Sequence, residues 1–444
     1  MWEWWSSRAR RIIDSFIRSP RGEDQYVTLF PVNVNLFGGH AEREAQQHEA
    51  CSGALPLKRD TPYRDRKRYA WLLSLVVPAL VGAGPALYLW SGKVWHLWLP
   101  IIFVYAVVPI FDLIFADDQS NPPESAVPEL ENDRYYRYIT YAAVPLLWIA
   151  FTFGVWFVAR HPLPWYGVLA VILTTGLVGG FGINLGHELG HKQTGLERWL
   201  AKIILAPTGY GHFYIEHNRG HHRDVATPED PASARMGENI FAFLLREMPG
   251  ALRRAWGLER ERLQRLNTPA WSLQNEIVQP LLITGMYWTV LCLWLGVGIL
   301  PVIVLASFWA NFQLTTANYI EHYGLRRRVL ANGRPELCQP HHSWNSNHLF
   351  SNWALFHLQR HSDHHAHPVR RYQSLRHFEE LPQLPSGYFG MYIFAYLPPL
   401  WFKVMDQKLL DAVGRDASRI NFDPSREVSL RKQYGLSPEE SCAS

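Results

Sequence analysis

The stretch Trp165–His191, WYGVLAVILTTGLVGGFGINLGHELGH, joins an apolar run to a pair of histidines. Trp165 to Gly186 carries no charged residue, and it is long enough for one helical span, which needs about 20 apolar residues. His187 and His191 follow at once, and residues four apart share one face of a helix. The stretch therefore predicts a transmembrane helix that ends in two imidazoles directed at a common centre.

Other segments of the chain show the same apolar character, and one of them, Val94–Phe115, holds a single carboxylate, Asp112. We predict an all-α integral membrane protein with six transmembrane helices, at about residues 70–90, 94–115, 138–159, 165–186, 277–296 and 299–320. Glycines spaced four apart, such as Gly176 and Gly180, predict close packing of the fourth helix. Tyr388–Phe402 is apolar but short and interrupted by proline, so we interpret it as interfacial.

The distribution of charge predicts the topology. Residues 1–69 are rich in Lys and Arg, and an even number of spans places both termini on one side, so we expect the termini and the segment 187–276 in the cytoplasm. The net charge of +4 then reflects topology, and no nucleic-acid partner is expected. We expect residues 1–62 to be an N-terminal extension with an amphipathic helix in its first 20 residues, 63–434 the membrane core, and 435–444 a tail.

Histidines cluster at four places on the inferred cytoplasmic side, within GHELGH, EHNRGHH, NYIEHYG and RHSDHH. The nine are His187, His191, His217, His221, His222, His322, His361, His364 and His365. Nine imidazoles are too many for one ion, whereas two ions with four or five ligands each would use them all. Imidazole suits Zn, Cu, Fe and Ni, and the four cysteines lie far from the clusters. The pattern therefore predicts a cytoplasmic cap with a dimetal site, and redox iron acting on O2 is the favoured chemistry.

Carboxylates near these histidines are candidates to accept the second ring N–H of a ligand, which fixes its tautomer. The predicted residues are Glu188, Glu216, Glu321 and Asp363, together with Asp112, which is costly in lipid and so is expected to face the site or a partner. His341, His342 and His348 lie in PHHSWNSNH, which we interpret as a capping loop with a weaker claim to metal.

The motifs NLGHELGHK, EHNRGHHRDVATPEDP, NYIEHYGL, HHSWNSNH and LFHLQRHSDHHAHP resemble those of the membrane-bound alkane 1-monooxygenases of bacterial inner membranes. The fatty-acid desaturases share only the bare histidine skeleton. The resemblance implies that the nine histidines bind two iron ions, with O2 as co-substrate and an alkane entering from the lipid bilayer. It also implies electrons from a reduced rubredoxin, itself reduced by a flavoprotein that uses a nicotinamide, so no flavin, haem or nicotinamide is expected on this chain.

The resemblance further suggests a substrate channel and a docking surface. The second span offers the channel wall Phe103, Val104, Phe111 and Phe115, and Val104 stands where some relatives carry a bulky residue that limits chain length. Because the chain has no C-x-x-C pair, we expect a separate rubredoxin rather than a fused one. Rubredoxins are acidic, and basic candidates for docking are Arg326, Arg327, Arg328, Arg370 and Arg371.

Three other functions remain open from the residues. A fatty-acyl desaturase or hydroxylase would use similar metals on an activated acid. A metal transporter would place ionisable ligands along a path inside the spans, whereas these histidines are predicted outside them. A hydrolytic zinc enzyme is the most distant alternative.

Overall fold

Helices form almost all of the regular structure in the computed structural model, which describes residues 63–115, 117–118 and 120–436. Across those residues the only β structure is a set of isolated bridges, such as Leu325 with Ile420. The predicted extension over residues 1–62 and most of the predicted tail lie outside the described residues. The prediction of an all-α protein is confirmed.

Six helices of the described chain are long and apolar enough to cross a membrane, as predicted. Their bounds are Ala70–Ser91, Val94–Ile114, Arg134–Arg160, Trp165–Gly190, Val278–Leu295 and Val297–His322. The fourth and sixth helices continue beyond the predicted ends, since polar residues extend the backbone hydrogen bonds past the apolar run. As a result His187 lies in the last turn of the fourth span and His322 is the final residue of the sixth.

The fourth span is the centre of the fold, because 78% of its apolar window is buried against 17–44% for the other five. Its glycines allow the sixth span to approach. A Cβ atom on Gly176 would lie 2.5 Å from the carbonyl oxygen of Ala306, and one on Gly180 would lie 3.0 Å from Cβ of Gln313. This close packing, which the glycine spacing predicted, brings together the two span ends that carry His187 and His322.

The polar segments between and after the spans form further helices. Those of six residues or more are Val127–Asn132, Gly195–Leu205, Ile240–Arg265, Leu349–Ala354, His361–Ala366, Tyr388–Tyr396, Pro398–Ala412 and Glu427–Tyr434. The longest of them is Ile240–Arg265. The side chain of Asn239 caps its N-terminus by accepting hydrogen bonds from the backbone of Phe241 and Ala242. Tyr388–Phe402 is divided between two helices at Pro398, so it is not a single span, in line with its prediction as interfacial.

Candidate metal centre

The histidines of EHNRGHH lie on a local irregularity of the helix. Residues Glu216–His221 form a π-helical turn, in which the hydrogen bonds run to the fifth residue along the chain. His217 and His222 are five residues apart, which an α-helix would place on different faces, yet their Nε2 atoms are 3.0 Å apart. The π turn therefore directs these two rings to one centre and leaves His221 to point towards another.

Five imidazoles meet on one side of this turn. The five-histidine group consists of His187, His191, His217, His222 and His364. Nε2 of His187 lies 2.9 Å from Nε2 of His364, and Nε2 of His191 lies 3.0 Å from that of His217. His364 is also 3.2 Å from His222 through the same atoms. The ring nitrogens thus surround a common point at the end of the fourth span.

The remaining four imidazoles form a second cluster. The four-histidine group consists of His221, His322, His361 and His365, all of them buried. Nε2 of His361 lies 2.9 Å from that of His365 and 3.2 Å from that of His322. His361 and His365 are one turn apart on the helix His361–Ala366. All nine histidines are therefore brought together, in groups of five and four.

The donor sets fit metal ions. Two nitrogens held about 2.1 Å from one ion, at about 90° to each other, would lie about 3.0 Å apart, which matches the Nε2 separations of both groups. Buried imidazole nitrogens packed this closely cannot all satisfy one another, because each neutral ring has one N–H. Burial, reinforced by the neighbouring histidines, holds the pKa of His217, His364 and His365 well below the ordinary value. These rings are consequently neutral, the form that binds metal.

A carboxylate that the sequence reasoning missed orients one of these rings. Oδ2 of Asp230 lies 3.0 Å from Nδ1 of His221, so the opposite nitrogen, Nε2, is the one left for a metal. Burial alone would raise the pKa of Asp230, but His221 and Arg254 outweigh it and lower the pKa below its ordinary range. Asp230 lies in TPEDP, nine residues beyond His221. The one local signal for it in the sequence is an acidic residue directly before a helix-breaking proline.

The five carboxylates predicted beside the ligands have different partners in the structure. Oε2 of Glu321 lies 3.4 Å from Nε2 of His361, and its other oxygen accepts a hydrogen bond from Tyr388 at 2.9 Å. Glu321 therefore faces the four-histidine group from the ligand side. The other four bind cations, hydroxyls or backbone amides, as the pairs Glu188–Lys192, Glu216–Arg254, Asp363–Arg370 and Asp112–Ser351 show.

The histidines with a weaker claim to metal lie apart from the two groups. His341 and His342 approach Glu336, and Nε2 of His342 lies 3.1 Å from its carboxylate. However, Nδ1 of His342 accepts a hydrogen bond from the backbone of Gln339, so its proton is on Nε2 and is donated to Glu336. His348 Nδ1 lies 2.8 Å from the hydroxyl of Ser346. These contacts leave the segment outside both histidine groups; its interpretation as a capping loop stays a prediction.

A narrow, mostly apolar cavity lies between the spans, near the ends that carry the histidines. The fourth and sixth spans form two of its walls, and helix Tyr388–Tyr396 contributes Phe389 and Tyr392. Its lining includes Asn184, Ala317 and Leu358, each three to five positions before a histidine of the site. The cavity therefore lies close to the turns that hold the imidazoles.

The second span, where the sequence suggested a channel wall, contributes none of the residues that line this cavity. Tyr105 donates a hydrogen bond to Gln313, which lines the cavity, and its ring packs against Phe389. Val104 beside it is buried, whereas Phe103 and Phe115 lie on the outer, exposed surface of the helix. The fourth predicted wall residue is Phe111, which packs on Phe115 and Phe350.

The arginines predicted to dock a partner separate into two kinds. Arg370 and Arg371 are buried, and they pair with Asp363 at 3.0 Å and with Glu197 at 2.8 Å. Their charges stabilise the loop after the last histidines and do not reach the surface that docking requires. The other three follow the sixth span, and among Arg326, Arg327 and Arg328 the last is the most exposed.

Comparison with known proteins agrees with this architecture. Residues 162–395 match the fatty acid desaturase family. The chain is 49% identical over 381 residues to alkane 1-monooxygenase 1 of Alcanivorax borkumensis, covering 85% of this chain and 94% of that protein. It is 48% identical over 377 residues to the alkane 1-monooxygenase of Ectopseudomonas oleovorans, covering 84% and 94%, and 48% identical over 374 residues to that of Pseudomonas putida, covering 84% and 92%.

Six helices long and apolar enough to cross a membrane, together with two histidine groups that could hold metal ions, define a membrane protein of the fatty acid desaturase type. Within that class, the chain belongs to the alkane 1-monooxygenase family, and it is an oxidoreductase of the monooxygenase kind. The resemblance stated from the motifs is confirmed. Membership in this family favours an enzyme over a metal transporter.

Proposed function

We propose that this protein hydroxylates the terminal carbon of medium- to long-chain n-alkanes. The balanced reaction is R–CH3 + O2 + 2 e− + 2 H+ → R–CH2OH + H2O. The observation that carries the proposal is an apolar cavity lined by Asn184, Ala317 and Leu358, which lie three to five positions before histidines of both groups. The relatives reported above carry the name alkane 1-monooxygenase, which supports the same substrate class.

The nine histidines are proposed to hold two iron ions, five on one and four on the other. Bound iron would supply the activation of O2 that the reaction needs. The chain's own contribution is to hold neutral, buried imidazoles at fixed orientations, with Asp230 setting the tautomer of His221. This rigid arrangement is built on the ends of packed helices, which position a site better than loops do.

Shape must position the substrate, because an alkane offers no polar group to bind. The cavity between the spans is narrow, and most of its lining is apolar. We therefore propose that it holds the terminal part of the chain, with the rest extending towards lipid. Val104 stays a proposed determinant of chain length, and Val104→Trp is expected to shift product formation towards shorter alkanes; an unchanged profile would remove Val104 from the proposal.

The electrons are proposed to come from a separate reduced rubredoxin and its reductase, since the reaction consumes two electrons that the alkane does not provide. Placement in the bacterial inner membrane, with both termini in the cytoplasm, is likewise proposed, and the basic N-terminal region supports it. A cytoplasmic donor requires the metal groups to lie on that side of the membrane.

Metal and product analysis of the purified protein tests the proposal. We expect two iron ions per chain and the formation of 1-octanol and 1-hexadecanol when reduced rubredoxin is supplied. A variant with His364 replaced by alanine serves as the control, and it should lose iron and product together. Turnover of an acyl thioester in place of the alkanes would overturn the proposal in favour of a fatty-acyl desaturase or hydroxylase, and full activity after iron removal would also contradict it.

A further inference from the structure

We propose that a groove lined by arginines, beside the five-histidine group, is the docking site for a small acidic electron-donor protein. The arginine groove is an open surface depression that consists of Arg219, Arg223, Arg262 and Arg265 with Leu258 and Leu266. This inference rests on the proposed function, because it names where the electrons for the hydroxylation enter. None of its arginines is among the five that the sequence suggested for docking.

The groove adjoins the more accessible edge of the metal centre. Arg219 and Arg223 lie on either side of His221 and His222 along the π-helical segment. His222 is half-buried, and its Nε2 atom is 3.0 Å from that of His217, inside the five-histidine group. A protein bound in the groove would therefore contact residues next to a histidine that reaches the metal site directly.

Buried carboxylates hold two of the arginines in place. Glu259, whose side chain is fully buried, accepts from Arg219 at 3.0 Å and from Arg262 at 2.6 Å. Fixed guanidinium groups lose less conformational freedom when a partner's carboxylates bind them. The remaining two, Arg223 and Arg265, are exposed. The side chain of Arg223 is 61% accessible although it pairs with Asp224 at 2.7 Å. The groove thus combines a floor held by Glu259 with exposed charged sides.

The lining also indicates the kind of partner. Four arginines favour a surface rich in carboxylates, while Leu258 and the exposed Leu266 offer a small apolar contact. A limited interface of this composition suits a transient electron-transfer complex, which must bind and leave quickly. Two successive dockings would each deliver one electron, as the donor's iron changes from ferrous to ferric. Together they supply the two electrons of the hydroxylation.

The neighbouring basic residues have a different role. Arg327 is buried and donates a hydrogen bond of 3.0 Å to the carbonyl oxygen of Arg223, so it supports the wall of the groove from behind. Arg328 is exposed but pairs with Asp416 at 3.1 Å. Because Arg328 is the exposed member of this basic segment, it serves to test the rival docking position.

The experiment compares charge reversals in the full-length protein in detergent. The double variant Arg223→Glu with Arg265→Glu tests the groove. Arg260→Glu is the matched control. Arg260 is exposed on helix Ile240–Arg265, which also carries Arg265, but it does not line the groove. Arg328→Glu tests the rival position. For each protein we would measure the iron content, octane hydroxylation driven by reduced rubredoxin or by dithionite, and the binding of oxidised rubredoxin at low and high salt.

We expect the double variant to raise the KM for rubredoxin at least about tenfold at low salt, and to weaken the salt dependence of binding. Its ratio of rubredoxin-driven to dithionite-driven rate should fall, while Arg260→Glu keeps the wild-type ratio. Equal effects of the double variant and Arg260→Glu, or a large effect confined to Arg328→Glu, would overturn the proposal. Binding is measured without turnover, so a wild type that binds rubredoxin but oxidises no alkane would contradict the proposed function alone.

Discussion

The two histidine groups differ in their exposure to solvent. In the five-histidine group, His191 and His222 are half-buried, and the arginine groove lies beside them. In the four-histidine group every ring is buried, and the carboxylates of Asp230 and Glu321 approach two of them. If both groups hold metal as proposed, the difference leaves one site accessible at its edge and keeps the other enclosed.

Metal removal should produce the largest contrast between the groups. A water-soluble chelator such as EDTA is expected to remove iron in two phases, the fast one from the five-histidine group, because its ligands are nearer to solvent. In His361→Ala the slow phase should be missing, and alkane hydroxylation should be lost. Iron analysis over time provides the measurement.

A single phase of iron loss in the wild type would show that exposure does not distinguish the groups. His222→Ala is the matched variant in the other group, and there the fast phase should be the one that disappears.

Asp230→Asn should weaken metal binding at the four-histidine group only. The change removes the charge that sets the tautomer of His221, and such outer partners typically contribute about 10–100-fold in metal affinity. The effect is measured as the iron affinity of the slowly released site, in a titration against a competing chelator. Asp406→Asn is the control, since Asp406 is also buried but binds the hydroxyls of Tyr323 and Tyr434; an equal loss there would point to general destabilisation.

Filling the cavity should reduce catalysis without removing metal. Ala317→Leu adds side-chain carbons to the cavity, five residues before His322. Because these carbons would displace the terminal methyl group of octane, kcat/KM for octane should fall at least about tenfold. Val304→Leu adds volume on the exposed face of the same span and should change little. The rate of 1-octanol formation and the iron content are measured for both variants. A normal rate in Ala317→Leu would mean that the substrate uses another route.

The buried acid Glu247 should affect the pH dependence of folding stability. Burial raises the pKa of Glu247 to about 7 from its ordinary 4.5, and Glu216 and Asp230 add to the rise, although Thr315 and Asn318 donate to its carboxylate. The folded state therefore keeps a proton that the unfolded chain releases. The retained proton stabilises the folded state fully below about pH 4.5. This stabilisation, about 3 kcal/mol, is lost as the pH rises through about 7.

In Glu247→Gln this loss should be absent, so the midpoint of thermal unfolding should fall less between pH 5 and 8 than it does in the wild type. Unfolding in detergent, followed by circular dichroism at several pH values, gives the comparison. Parallel curves for the two proteins would show that Glu247 does not hold its proton.

Several features of the site could be predicted because they depend on local sequence. Hydropathy located the six spans, and the histidine clusters identified the nine rings that converge. The carboxylate Asp230 was not predicted because it lies nine positions from His221, and a loop returns it to that ring. Arg370 looked like a surface charge in the sequence, but burial against Asp363 gives it a structural role.

By itself, the sequence determined that this protein has six helices long and apolar enough to cross a membrane and that its clustered candidate ligands are imidazoles, since both follow from composition along short segments. Only the tertiary structure decided how the nine rings divide, which arginines stay exposed and where the cavity lies. His187 and His364 are 177 positions apart, and their rings meet because the fourth span and the last histidine loop pack together. Such contacts depend on the packing of the whole chain, which no local pattern encodes.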